Sequence, residues 1–284
     1  MVYLMLAIIS SSLVSIVMRV GERKAKNNIS MLSVNYFICM IVSLIYTFTG
    51  KTFQIENGFN FAICLGGING FFYIAGLVLF QNSVKNNGVV LSSIFMKLGI
   101  MMPLIISIVL FQEIPTKIQV IGFVLAILAI VMINIKEKKT TAIVERNSKS
   151  FKIGLILVLI GCGMADGMSK VYQELGTENF EELFLALTFI TAFILSVILV
   201  KIKQQRFTKN EILYGIMLGI PNYFSARFLL KSLGQIPAVV AYPTFSIGTI
   251  AVITFTGMFI FKEKITKIQM VAIGIIAIAV IMLN

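Results

Sequence analysis

Histidine and tryptophan are absent from all 284 residues, and the chain holds only 3 cysteines, 5 prolines and 12 acidic residues. Without histidine there is no imidazole for acid–base catalysis or for the common zinc sites. Cys39, Cys64 and Cys162 each fall inside an apolar block, and they share no metal-ligand or disulfide spacing. They read as small buried hydrophobes, and no metal or cofactor is expected. Without tryptophan the chain lacks the best cation–π partner. No glycine-rich stretch ends in Gly-Lys-Ser/Thr, so direct coupling to ATP has no visible support. Charge is scarce as well, at 13% of residues against about 25% in a soluble domain.

What fills the chain is hydrocarbon. Apolar residues make up 58% of it, the mean hydropathy is +0.97, and the apolar blocks run to about 20 residues, enough to cross a core of about 30 Å. Spans are expected near 2–20, 30–49, 59–81, 87–111, 117–135, 152–172, 183–200, 211–231, 237–261 and 266–283. Only helices are open to such segments, because each must satisfy its own backbone N–H and C=O groups in lipid. The net charge of +12 would suggest nucleic acid in a soluble protein. Here the basic residues lie between spans, so the partner is the lipid bilayer and no nucleic acid is expected. The first span opens almost at once with no small-residue cleavage site after it, so no removable signal peptide is expected.

The chain states one stretch twice. Phe111, Glu113, Thr116, Lys117, Ile118 and Gln119 recur 150 residues later as Phe261, Glu263, Thr266, Lys267, Ile268 and Gln269, and each copy leads into an apolar run ending on Asn, at Asn134 and Asn284. The expected fold class is an all-α membrane protein with ten transmembrane helices in two inverted five-helix repeats. The repeats cover 1–135 and 151–284, joined by a cytoplasmic linker over 136–150. An odd number of spans per repeat forces the second copy to enter from the opposite side. Of the 24 Lys and Arg, 18 lie in or at the edges of the odd connections and 4 in or at the edges of the even ones. That bias puts the linker in the cytoplasm of a multi-pass cell-membrane protein and both termini outside.

Glu-x-x-Thr-x-x-Gln followed by a final apolar span, in both halves of a ten-span chain, resembles the drug/metabolite transporter superfamily, and within it the EamA-type transporters. The resemblance implies alternating-access transport of a small organic molecule through a central cavity lined by spans 3, 4, 8 and 9. It also favours both termini in the cytoplasm, against the charge count. It names no substrate.

Ionisable groups within spans are expensive, about 2.5–3.5 kcal/mol at mid-helix on insertion scales, and each is a candidate site. Lys97 is the deepest. It shares a helix face with Ser93 and Met101, and Pro103 beyond them loosens the helix. It reads either as a cationic anchor for a substrate carboxylate or phosphate, or as half of a salt bridge. Asp166 could be an ion partner, a carrier for a coupling proton or a counter-ion for a cationic substrate. Arg227 shares a face with Tyr223 and could snorkel to the interface. Asn222 follows Pro221, where a helix break is expected, and Asn69 and Tyr73 hold the matching places in span 3. Tyr242 and Thr244 flank Pro243, a further irregular place. Glu113 and Glu263 read as turn residues beside a capping Thr, with a gating contact as the alternative.

The leading reading is a monomeric secondary transporter and not an enzyme. Its cargo is a small polar or zwitterionic metabolite such as an amino acid, and its direction is export. The alternatives are a multidrug or cation exporter using Asp166 and, from another class, a membrane scaffold with no transport activity.

Overall fold

The structure is a computed structural model that describes residues 1–49, 58–87, 92, 95–134, 148–259 and 267–283. Among these the chain is helical throughout, with ten α-helices: α1 (Val2–Lys24), α2 (Asn28–Phe48), α3 (Phe59–Asn87), α4 (Met101–Phe111), α5 (Lys117–Asn134), α6 (Ser148–Leu175), α7 (Glu181–Ile202), α8 (Lys209–Leu233), α9 (Ala238–Phe259) and α10 (Lys267–Leu283). Six of them, α1, α2, α3, α6, α7 and α9, contain stretches long and apolar enough to cross a membrane. Large apolar side chains stand exposed along the helices, as at Val109 (68%), Leu110 (62%) and Ile281 (77%). In water that would be costly; against lipid tails it costs nothing.

The loosening expected around Pro103 is present, and the irregularities expected at Pro221 and Pro243 are not. The fourth span is not one continuous helix where it is described: a 3-10 turn, Leu98–Ile100, precedes α4. Pro103 offers no N–H to the carbonyl four residues back, and that carbonyl belongs to Gly99 inside the turn. By contrast, α8 continues through Pro221 and α9 through Pro243. Neighbouring helices and hydroxyl side chains make an intrahelical proline tolerable at membrane depth. Ser93, Glu263 and Thr266, together with 136–147 of the linker, lie outside the described residues.

Contacts divide the chain into two compact units, and each draws on both halves of the sequence. The first comprises Met1–Ile74 and Met168–Ile236. Within it α1 packs on α8, and α2 packs on both α7 and α8. Small residues make those approaches close. A Cβ on Gly66 would lie 2.7 Å from the Phe184 carbonyl oxygen, and one on Gly215 would lie 2.7 Å from that of Met31. The Gly-x-x-x-Gly patterns of α3 and α8 are thus seams onto α7 and α2.

The connections of this unit are laced by hydrogen bonds. Glu211, fully buried in the first turn of α8, forms a capping box with Thr208. Its other carboxylate oxygen accepts from the Lys26 N–H (2.9 Å) and the Asn27 N–H (3.0 Å). Gln205 Oε1 accepts from the Ile29 and Ser30 N–H groups at 3.1 and 3.2 Å, which satisfies the start of α2 from another connection. Burial pushes the Glu211 carboxyl up, but the bonds from Thr208, Asn27 and Lys26 outweigh it and hold its pKa down to about 2.

The second unit comprises Ala75–Gly167 and Pro237–Asn284. Here α5 and α10, the helices that follow the two copies of the repeated stretch, pack against each other and α9. Their core is Ala126, Ala129, Ile130, Ile247, Ile250, Ile276, Ala279 and Leu283. A Cβ on Gly163 of α6 would collide with the Gly99 carbonyl oxygen, so two glycines bring α6 onto the 3-10 turn.

Candidate functional site

In the first unit the polar side chains of α2, α3, α7 and α8 meet in pairs. Asn222 Nδ2 donates to Asn35 Oδ1 (3.2 Å), and the Cys39 thiol donates to the Gly219 carbonyl (3.2 Å). Asn69 Nδ2 donates to Thr188 Oγ1 (3.4 Å). Asn69 Oδ1 is buried and has no partner among the described residues, which leaves one acceptor open deep in an apolar bundle. The Tyr73 ring lies edge-on to Tyr36 (6.4 Å between centroids) and to Phe189 (6.0 Å).

Arg227 is paired. Its Nε lies 2.5 Å from Glu182 Oε1, and the Tyr223 hydroxyl donates to Glu182 Oε2 at 2.6 Å. The guanidinium also sits 4.1 Å over the Tyr46 ring, which stacks on Tyr223 at 5.7 Å. Both members of the ion pair are about four-fifths removed from solvent, with side-chain exposures of 18% and 19%. The carboxylate therefore cancels the positive charge locally, with the Tyr223 phenol donating to it and the Tyr46 ring under the guanidinium. Glu182, Tyr46 and Thr188 are partners of the candidate residues that the sequence reading missed. Glu182 lies just before the span expected over 183–200. Lys170, near the end of the span expected over 152–172, is wholly buried in α6 and paired with Glu174 one helical turn on.

In the second unit Lys97 lies within electrostatic reach of Asp166, and the Cys162 thiol is beside both. An amine and a carboxyl group thus lie near one another in the second unit. Lys97 immediately precedes the 3-10 turn, so its position is set by the irregular backbone there and by the glycine contact with α6. Tyr242, fully buried on α9, donates its hydroxyl to the Asp166 backbone carbonyl at 2.6 Å and ties α9 to α6 beside that charge. Thr244 is buried on the same helix. Met101 opens α4 and is half-buried. Lys97, Met101, Asp166, Tyr242 and Thr244 thus belong to this unit, and Asn69, Tyr73, Asn222, Tyr223 and Arg227 to the first.

The repeated turn has a physical explanation in its first copy. The Thr116 N–H donates to Gln119 Oε1 (3.0 Å) and the Gln119 N–H to Thr116 Oγ1 (3.3 Å), a reciprocal cap on α5. Glu113 accepts from the Ser107 hydroxyl and from the Ala238 N–H (3.0 Å), so it caps the start of α9. The bonds of Glu113 and Thr116 are those of a turn and a cap.

Comparison with known proteins agrees with this architecture. A protein of Haemophilus influenzae (strain ATCC 51907 / DSM 11121 / KW20 / Rd), itself uncharacterized, is 26% identical over 283 residues, covering 95% of this chain and 93% of its own. A solved crystal structure superposes with a TM-score of 0.77 at 12% identity, covering 99% of this chain and 94% of the other, a likeness of fold. The model of the EamA-like transporter family matches residues 1–135 and 152–284. The chain belongs to the EamA-like transporter family, a family of membrane transporters.

Proposed function

We propose that the protein is a secondary transporter working by alternating access. On this reading ten spans form two inverted repeats, and the cargo is a small polar or zwitterionic organic metabolite such as an amino acid, moved outward. The duplicated Glu-x-x-Thr-x-x-Gln turn and the pairing of α5 with α10 support the repeat. The observation that carries the reading is the nearness of Lys97 and Asp166 in the second unit. Burying two charges in a bundle costs several kcal/mol per ion unless both are well paired. A scaffold has no use for that cost, whereas a carrier does: the ammonium receives an anionic group of the cargo, and Asp166 receives either a cationic group or a coupling proton. Arg227 is assigned a positioning role, because Glu182 already takes its charge.

Reconstituted in proteoliposomes, Lys97→Ala is expected to lose transport of amino acids while inserting normally. Transport at the wild-type rate by that variant would remove the anchor role.

A further inference from the structure

The first unit carries a second polar place that the transport reading does not use. At the end of the bundle where α1 begins and α8 finishes, a cavity of about 340 Å³ is lined by Tyr3, Glu178, Asn179, Glu181, Lys231 and Gln235. That volume is at the small end of the range of about 300–1,000 Å³ for small-molecule sites. Glu178 and Gln235 are exposed at its rim, and Tyr3, Glu181 and Lys231 are half-buried within it.

Charge is arranged unusually here. Lys231 is the first cation that the Glu181 carboxylate senses, yet among the described residues no ion pair closes between them. The ammonium stands instead over the Tyr3 ring at 5.8 Å. Deeper in the same unit Arg227 and Glu182 are in direct contact and cancel each other. Two carboxylates and one ammonium therefore line one hollow, with one negative charge in excess. A lone acid or a lone base would find only half of this lining complementary.

We propose that this cavity is a binding site for a basic amino acid. Its α-carboxylate would meet Lys231, its two ammonium groups would meet Glu181 and Glu178, and its alkyl chain would lie along Tyr3. A dibasic zwitterion matches the lining in sign at every point and cancels its excess charge. A neutral amino acid leaves one carboxylate unmet, and a diamine leaves Lys231 unmet. The site deepens the transport reading, because it would hold cargo at the bundle end before or after passage, and it rests on that reading for the passage alone.

The test is calorimetric titration of the full chain in lipid nanodiscs with L-lysine, L-alanine and cadaverine. L-lysine is expected to bind roughly tenfold or more tightly than either analogue, the worth of one charge-assisted contact. Lys231→Met and Glu181→Gln should each weaken L-lysine by a similar factor, and Lys231→Arg should retain it. If Lys231→Met does not fold, Glu181→Gln and Lys231→Arg decide alone. Equal affinity for all three ligands, or folded Lys231→Met and Glu181→Gln proteins that bind L-lysine as wild type does, overturns the site. Binding lost in Lys97→Ala but kept in both cavity variants also overturns it, while leaving the transport reading in place. Conversely, Lys231-dependent binding in a protein that carries no amino acid across proteoliposomes keeps the site and removes the transport reading.

Discussion

The Glu182–Arg227–Tyr223 cluster offers the sharpest test of what a mid-bundle charge does in this protein. Glu182→Gln keeps the shape of the side chain and an oxygen for the Tyr223 hydroxyl, but it removes the negative charge 2.5 Å from Arg227 Nε. Exposed ion pairs contribute about 0.2–1 kcal/mol, whereas breaking a fully buried one costs about 3–5 kcal/mol. With exposures of 18% and 19% this pair lies nearer the buried limit, so each of Glu182→Gln and Arg227→Met should destabilise by about 2–3 kcal/mol. Much of that loss is the uncompensated partner. The double substitution should therefore fall short of the sum of the singles by about 1.5–2 kcal/mol. Equilibrium denaturation of the purified protein in mixed detergent micelles measures all four corners of this cycle. Additivity within about 0.5 kcal/mol would show that the two charges do not depend on each other. Arg227 would then return as a free cation for cargo. A structural pair further implies that the double variant transports better than either single one.

Three other outcomes follow from the same contacts. Glu211 has a folded pKa of about 2 against an ordinary 4.5. Its stabilisation is therefore complete above pH 4.5 and disappears as pH falls toward 2, and Glu211→Gln should lower the melting temperature at neutral pH by an amount that shrinks below pH 4.5. Gly163→Ala drives a methyl group into the Gly99 carbonyl, whereas Gly234→Ala meets nothing nearer than 3.7 Å. The first should cost about 1–3 kcal/mol in a denaturation series, and the second should be tolerated. Glu113→Ala removes the cap on α9 and should lower stability by about 0.5–2 kcal/mol; unchanged stability with lost transport would instead mark Glu113 as a gating residue.

The helical class, the membrane setting and the approximate positions of the helices were legible in the sequence because they depend on runs of neighbouring residues. A block of about 20 apolar residues declares itself without reference to the rest of the chain. The same holds for the cap made by Thr116 and Gln119, whose members are three residues apart and meet through helix geometry alone. Proline misled at Pro221 and Pro243, because the local rule for a break ignores the neighbours that hold α8 and α9 together.

Partnership was different. Glu182 and Arg227 are separated by 45 positions, and Glu113 and Ala238 by 125. No periodicity connects them; only packing selects one carboxylate for each donor. The division into units is likewise invisible in the repeat, which splits the chain near 135–151, while the contacts divide it inside α3 and α6. Composition and local pattern determined that this chain must be a helical membrane protein, because transfer into lipid is settled residue by residue. Which of its rare charges are spent on each other, and which still face an opening, was decided only by the tertiary structure, because Coulomb and hydrogen-bond energies depend on distances that chain order does not set.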